Sequence, residues 1–315
     1  MNNIILAFGV VFPLMLMMSA GYALQRLRIT DEHSLTIMNK LVFRVFLPLL
    51  LFLNIYSLKP EEALNAENAR LLIMTLLSIL LAVALMQLTL PRIVRDKKKC
   101  SVIIQGIFRS NLVLFGIPIA ASIYGEARIG IVSLLAAVIV PVFNILSVVV
   151  LEYYRGSRVS IKKVVSGIIK NPLIIASAAA FLLLILRIKL PDLLVSHLSD
   201  MSKVATPLAF VVLGGTFRFK RLAVNLSYLI TVVMGKLVLF PGIVFAVAIA
   251  AGFRGEALVA LIGAVASPTA VSSFTMAVEM DADGELAGQV VIFTSIVSIL
   301  TIFLWVLFLK SMGYI

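Results

Sequence analysis

The sequence predicts an all-α polytopic membrane protein with ten transmembrane helices arranged as two inverted five-helix repeats. Three observations lead to that prediction. The composition is strongly apolar, apolar runs of about 20 residues recur along the chain, and the second half repeats features of the first at an offset of 159 residues. A recurring run of this length is what a helix needs to cross the hydrocarbon of a bilayer.

The composition excludes an ordinary soluble protein. The chain has 315 residues, of which 62% are hydrophobic and 13% charged, and its mean hydropathy is +1.13. A typical soluble domain has about 25% charged residues. The net charge of +12 is concentrated in short loops between apolar runs. Basic residues in such loops report membrane topology, so we expect no nucleic-acid partner.

Ten apolar runs are long enough, or nearly so, to cross a membrane. The first lacks the basic start of a cleaved signal and has Pro13 at its middle, so we expect it to be retained as a span. The seventh is short and is interrupted by Pro207 and by Gly214 and Gly215. The predicted spans cover residues 3–25, 34–57, 70–91, 101–123, 129–151, 166–187, 202–217, 226–251, 256–279 and 285–309.

The distribution of basic residues predicts the orientation of these spans. With the N-terminus outside, the inner loops hold 14 lysines and arginines and the outer loops hold 8. An excess of basic residues marks the cytoplasmic side. We therefore expect a multi-pass protein of the inner (plasma) membrane with both termini extracytoplasmic.

An internal repeat is visible when the chain is shifted by 159 residues. The shift aligns Pro-Leu at 13–14 with 172–173, Pro-Leu at 48–49 with 207–208, and Leu-Arg-Ile at 27–29 with 186–188. The segments 1–158 and 159–315 then contain five spans each. Because five is an odd number, the second copy enters the membrane from the opposite side, which is the inverted arrangement of many secondary transporters.

Two spans contain helix-breaking residues near their middle. Residues 109–118 read RSNLVLFGIP in span four, and residues 267–273 read SPTAVSS in span nine. Asn111 is about 15 Å into its span and Pro268 about 18 Å into its own, at the usual helical rise. Broken backbone at that depth is tolerated where protein or a water-filled cavity satisfies it. The matched pair predicts a transporter's binding site at the midplane. The alternative is that the prolines only kink helices and the small residues only aid packing.

Each break can also supply the start of a new helix. Ser267 is a suitable N-cap and Pro268 a suitable first helical residue, so the second half of span nine is predicted to begin there. Its free N–H groups would favour an anion. Residues 116–118 can do the same in span four, with the Asn111 amide as donor and acceptor. The candidate substrate-binding residues in the two breaks are Asn111, Gly116, Pro118, Ser267, Pro268, Thr269 and Ser272.

Three basic residues lie deep in apolar runs: Arg44, Arg109 and Lys236. A charge at that depth costs at least ~2.5–3.5 kcal/mol on insertion scales, and no Asp or Glu falls at the centre of any span. Either an anionic substrate supplies the missing charge or these side chains hydrogen-bond to carbonyls released by the breaks. Lys236 is the first functional candidate because it is nearest to a span centre.

The sequence resembles the auxin efflux carriers and their bacterial relatives, whose superfamily also contains the bile-acid sodium symporters. The resemblance is carried by LPLLLF at 47–52, residues 111–118, KNPL at 170–173, KLVLFP at 236–241 and SPT at 267–269. It implies two five-helix repeats in which helices 4 and 9 are broken and cross at the centre. It also implies substrates such as auxin, malate and malonate. Residues 112–115 (LVLF) replace the glycine-rich stretch that usually follows the asparagine, and only Gly116 remains.

These observations predict a secondary transporter of small organic anions that works by alternating access. The alternative is a channel or a membrane-embedded sensor that uses the same cavity. We expect no enzymatic activity, because the sequence has no zinc-protease motif and no P-loop. No cofactor or metal is expected, and the single Cys100 excludes a cysteine metal cluster. The expected partners are the anion and the lipid bilayer, with a homodimer left open.

Overall fold

The computed structural model describes residues 2–57, 66–125, 129–155, 161–218 and 222–315. Within these ranges, the side chains of residues 2–8, 10, 161–164 and 222 are excluded from description. The predicted repeat boundary after residue 158 lies outside the described residues. So do five of the basic residues used to predict orientation, which are Lys59, Arg128, Arg158, Lys220 and Arg221.

The described residues form fourteen helices and no strand. The helices are α1 (Asn2–Arg26), α2 (Glu32–Tyr56), α3 (Ala66–Ile93), α4 (Lys97–Phe108), α5 (Leu112–Tyr124), α6 (Gly130–Tyr154), α7 (Ile161–Ile169), α8 (Pro172–Ile185), α9 (Asp192–Ser202), α10 (Ala205–Thr216), α11 (Ala223–Ala250), α12 (Glu256–Ala266), α13 (Ser272–Glu279) and α14 (Gly284–Ser311).

Five of these helices, α2, α3, α6, α11 and α14, are long and apolar enough to cross a membrane. They coincide with predicted spans two, three, five, eight and ten. Predicted span one forms α1, which has Pro13 inside it. Predicted span seven corresponds to the 12-residue α10, and α9 ends just before it. The chain is therefore an all-helical protein with several membrane-spanning candidates.

Prolines explain three wide turns inside the helices. Pro48, Pro118 and Pro241 each follow a π-helical turn by two residues, and these turns are Val42–Phe46, Leu112–Gly116 and Gly235–Leu239. Proline has no N–H to donate to the carbonyl four residues earlier, and its ring pushes that carbonyl away. The carbonyl released by Pro241 belongs to Leu237. It accepts a hydrogen bond of 2.9 Å from the Trp305 indole instead.

The most buried part of the chain consists of the two helices that precede the predicted breaks. Every residue from 100 to 110 and from 257 to 269 is buried. The breaks therefore lie inside the protein, where lipid cannot reach the backbone groups that a broken helix leaves unpaired.

Two helix pairs pack closely around this core: α1 against α10, and the second half of α2 against α8. In the first pair the backbones touch. A Cβ atom on Gly214 would lie 1.9 Å from the Met18 carbonyl oxygen, and one on Gly21 would lie 1.9 Å from the Val211 carbonyl oxygen. Glycine is needed at both positions because only a residue without a side chain allows this approach.

A matched pair of helix ends lies at the two Leu-Arg-Ile segments. Arg28 and Arg187 have φ angles of 58° and 53°, in the left-handed region that non-glycine residues rarely adopt. The N–H of Ile29 donates to Leu24 O and that of Ile188 donates to Leu183 O, both at 3.0 Å. These bonds close the last turn of the two helices in the same way.

Substitution of Gly214 by alanine is expected to destabilise the protein. The added Cβ would collide with the backbone of α1, and overpacking of this kind costs about 1–3 kcal/mol. Thermal unfolding in detergent measures the effect. Gly9→Ala on α1 is the matched control because nothing lies within 4 Å of its Cβ position. Equal melting temperatures for the two variants would contradict the close approach.

Candidate functional site

Two helix interruptions lie against each other at the centre of the site. α4 ends at Phe108 before α5 begins, and α12 ends at Ala266 before α13 begins. Ser110 and Thr269 form an isolated antiparallel bridge, and the Asn111 N–H donates to the Pro268 carbonyl at 2.8 Å. These bonds pair backbone groups that neither helix can satisfy within itself.

Side chains satisfy further backbone groups around the bridge. The Thr269 hydroxyl donates to the Gly106 carbonyl at 2.8 Å, and the Ser267 hydroxyl donates to the Gly263 carbonyl at 2.7 Å. Beside them the chain crosses itself at two glycines. A Cβ atom on Gly116 would lie 2.9 Å from the Gly263 Cα atom.

Lys236 is fully buried behind the bridge. It lies in the π turn of α11, and its Nζ donates to the Ser110 hydroxyl oxygen and, at 3.3 Å, to the Val265 carbonyl. The ammonium therefore connects the first break to the end of α12. No salt bridge to Lys236 occurs in the part of the chain that the structure describes. Lys236 bonds to a carbonyl near the second break, which is one of the two roles that the sequence left open.

Arg109 lies in the first break and is 3% exposed. Its guanidinium donates to Asn144 Oδ1, to Ser272 Oγ at 2.7 Å and to Met276 Sδ at 2.6 Å. The Asn144 amide donates in turn to the Val140 carbonyl at 2.8 Å, which turns its oxygen towards Arg109. All of these acceptors are neutral, so within the described residues Arg109 has no acidic partner.

A cavity of about 190 Å³ lies beside the two breaks. Its apolar lining comes mainly from α2, α5 and α6, with Phe143 and Leu50 among the larger side chains. Its polar lining consists of Asn54, Arg109, Ser110, Asn111, Asn144, Thr206 and Ser272. Polar groups placed in an otherwise apolar cavity are typical of a small-molecule site.

The opposite end of the molecule is held together by polar contacts. The Asn39 amide donates to Glu279 at 3.0 Å, Lys98 pairs with Asp281 at 2.7 Å, and Arg218 pairs with Glu32. Asn54, in the cavity wall, is on α2 about 22 Å from Asn39 at the helical rise. A second cavity of about 320 Å³ lies at the Asn39 end, and neither break lines it.

The predicted helix starts at the breaks are wrong. Ser267 is extended, with ψ at 155°, and α13 begins only at Ser272, because Pro268 and Thr269 are held by their backbone contacts with the first break. In span four the helix resumes at Leu112, so Gly116 is already helical and offers no free N–H. Pro118 lies two residues further on and, like Gly116, does not line the cavity.

The remaining predicted residues divide between the cavity and its surroundings. Arg109, Asn111 and Ser272 line the cavity, whereas Ser267, Pro268, Thr269 and Lys236 support the crossing behind it. Arg44 is exposed on α2, outside the cavity, and its side chain has no hydrogen bond or salt bridge among the described residues. It therefore does not join the other two cations.

Sequence reasoning missed four polar residues of the cavity: Asn54, Ser110, Asn144 and Thr206. The two asparagines carried a usable signal, because each is an isolated amide inside an apolar run. Amides in such runs are costly unless they are hydrogen-bonded, which makes them candidates in the same way as charges. Ser110 and Thr206 carried no comparable signal, since serine and threonine occur widely in membrane helices as packing residues.

The comparison with protein families decides the identity. A family model described as membrane transport protein matches residues 6–306, which include both breaks and every residue of the cavity. The chain belongs to this family, the auxin efflux carriers. Comparison with curated proteins gave no match.

Membership confirms the resemblance seen in the sequence. This auxin efflux carrier family consists of membrane transporters, so the protein is a multi-pass membrane transporter. A transporter needs a substrate site. The cavity beside the two breaks is the first candidate for it, because it is lined by residues from both halves of the chain.

Replacement of Thr269 by valine tests the crossing. Valine has nearly the same shape but cannot donate to the Gly106 carbonyl, and a buried group left without a partner costs about 1–3 kcal/mol. The expected result is a lower melting temperature of the purified protein. Thr301→Val is the matched control, because the Thr301 hydroxyl makes only a bond of 3.4 Å within its own helix. A control that loses as much stability as Thr269→Val would contradict a special role of the crossing.

Proposed function

We propose that this carrier is a secondary transporter of small organic anions and that it works by alternating access. The substrate class is auxin-like acids or mono- and dicarboxylates such as malate and malonate. The observation that carries the proposal is Arg109, a buried cation in the cavity wall whose described hydrogen-bond acceptors are all neutral. A carboxylate in the cavity would supply the opposite charge at the place where it is missing.

The hydrogen bonds of Arg109 leave room for such a ligand. The bonds to Asn144, Ser272 and Met276 use the two terminal nitrogens, and Nε has no acceptor in the part of the chain that the structure describes. Arginine has five N–H donors in a planar fork that matches a carboxylate. Asn54, Asn111 and Thr206 add neutral groups that can orient the rest of a small molecule.

For the architecture, we propose ten spans in two inverted repeats, residues 1–158 and 159–315, with broken helices 4 and 9 crossing at the centre. The offset of 159 residues relates the left-handed Arg28 to Arg187, and it relates Ser110 to Thr269, the two partners of the central bridge. It also relates the α1–α10 contact to the contact between α8 and the second half of α2. In an inverted repeat a pseudo-two-fold axis in the membrane plane relates the two copies, so equivalent residues would lie in matching positions on either side of it.

For alternating access, we propose that the present arrangement is open towards one side. The cavity reaches Asn54 and Thr206, while the far end of the molecule is joined by Asn39 to Glu279 and by Arg218 to Glu32. Separation of these contacts would open the other side as the paired helices rock around the crossing. The predicted topology places the open side outside the cell.

Counterflow in liposomes tests the function. Liposomes that contain the carrier are loaded with unlabelled malonate, malate, lactate or indole-3-acetate. They should accumulate the labelled form of the substrate from outside, with saturable kinetics. A channel would show flux without counterflow, and a sensor would bind the anion without flux. Absence of both binding and flux for every anion tested would remove the anion proposal.

Replacement of Arg109 by glutamine is expected to weaken anion binding by about 10- to 100-fold. Hydrogen bonds to charged groups contribute roughly 1.5–3 kcal/mol, and 1.4 kcal/mol corresponds to one decade of affinity. Isothermal titration of the purified variant measures the change. Arg44→Gln removes an exposed arginine outside the cavity and should bind as the unmodified protein does. Equal losses in both variants would indicate a general effect of net charge.

Both termini are expected to be extracytoplasmic. Single cysteines at Asn2 and Ser311 should then react with a membrane-impermeant maleimide added to intact cells. The native Cys100 is buried and can be replaced by alanine to remove background labelling. Protection of either position until the cells are permeabilised would show that the count of basic residues predicts the orientation wrongly.

A further inference from the structure

Two serines in the cavity wall share one arrangement, although they lie in different breaks. The Ser272 hydroxyl oxygen accepts a hydrogen bond of 2.7 Å from the Arg109 guanidinium. The Ser110 hydroxyl oxygen accepts one from the Lys236 ammonium. Both serines line the cavity, and each cation is at least nine-tenths buried. Each hydroxyl therefore lies in the cavity wall with its oxygen held by a buried cation.

The chemistry of the hydroxyl group determines what each serine can offer. A serine hydroxyl has one proton to donate and two lone pairs that accept. The cation has only N–H donors, so the hydroxyl oxygen must face it with a lone pair. Neither Ser110 nor Ser272 donates its own proton to any group in the described part of the chain. The proton of each hydroxyl is thus free and is turned away from the cation.

We propose that Ser110 and Ser272 donate the hydrogen bonds that select an anion in this cavity, and that Lys236 positions Ser110 for this role. The proposal rests on the anion-carrier function given above and specifies how the site recognises its substrate. A hydroxyl whose lone pair is occupied by a cation presents a donor to the cavity. The ligand group that such a donor recognises is one with only acceptor lone pairs, such as a carboxylate. A carboxamide that turns its NH₂ group towards the same position meets a second donor and is rejected.

The arrangement also explains why Lys236 contributes without touching the ligand. Its side chain is fully buried, bonds to Ser110 and Val265, and is not among the residues that line the cavity. A hydrogen bond in a chain is strengthened when its donor is itself polarised by a charge. Lys236 can therefore strengthen the Ser110 donor while its ammonium keeps its own bonds at the crossing.

The test compares acids with their own amides. Affinities of the purified protein are measured for malonate and malonamide, lactate and lactamide, and indole-3-acetate and indole-3-acetamide. The unmodified protein should favour the acid in the pair that it recognises. Ser110→Ala and Ser272→Ala should each weaken acid binding by about 10- to 100-fold and leave amide binding nearly unchanged. Ser272→Thr, which keeps the hydroxyl, should restore most of the preference.

Ser298→Ala is the matched control. Ser298 is also a buried serine, but it lies on α14, donates to the Ser295 carbonyl at 2.7 Å and does not line the cavity. Its ratio of acid to amide affinity should equal that of the unmodified protein. The melting temperature of each empty variant reports folding separately from binding. Because Ser272 is only half-buried, the Ser272 variants provide a readout even if Ser110→Ala does not fold.

A double-mutant cycle tests the role of Lys236. Lys236→Met should lower the acid-to-amide ratio in the unmodified protein, but it should lower the ratio no further in the Ser110→Ala variant, because the lysine acts through that hydroxyl. If the fold-loss of the acid-to-amide ratio in the double variant equals the product of the two single losses, Lys236 acts on the anion directly, and its positioning role is overturned. Serine variants that keep the full ratio, in a protein that binds and exchanges acids, would overturn this inference alone. A protein that binds none of the acids would overturn it together with the proposed function.

Discussion

The contact between the two helix interruptions is the interaction on which the rest of the structure depends. Ser110 and Thr269 bridge the breaks, and the Asn111 N–H bonds to the Pro268 carbonyl at 2.8 Å. In a water-free interior each unpaired backbone group costs several kcal/mol, so neither broken helix could persist without the other. The close approach of Gly116 and Gly263 follows from this contact, because the chains must nearly touch for the bonds to form.

The crossing also explains how two cations are kept inside an apolar protein. Arg109 and Lys236 make hydrogen bonds to amide, hydroxyl, thioether and carbonyl groups, and none of the described ones is to a carboxylate. Neutral acceptors reduce the cost of burying a charge but do not cancel the charge. The result is a pair of buried cations held by rigid elements, one of them in the wall of the neighbouring cavity.

Sequence reasoning located the two breaks and two buried cations, Arg109 and Lys236, but it assigned the wrong role to several residues in the breaks and to Arg44. Ser267 and Pro268 look like the start of a helix, yet Ser267 is extended, Thr269 is held in the bridge and α13 begins only at Ser272. Arg44 looks as deep as Arg109 in a linear apolar run, yet it is exposed on α2. Depth along a helix can be read from residue number, whereas the face that a side chain occupies depends on what packs against it.

The sequence alone determined the apolar helical class, the membership in a transporter family and the positions of the interruptions. The helical class and the interruptions follow from composition, from run length and from the backbone chemistry of proline and glycine, all of which act locally. The family follows from motifs spread along the chain, which the family model matches over residues 6–306. Only the tertiary structure decided that Asn54, Asn144 and Thr206 share a cavity with Arg109, and that Lys236 lies behind Ser110. Those placements join residues far apart in the chain. They depend on which helices meet, which in turn is set by the backbone bonds that the two breaks can form only with each other.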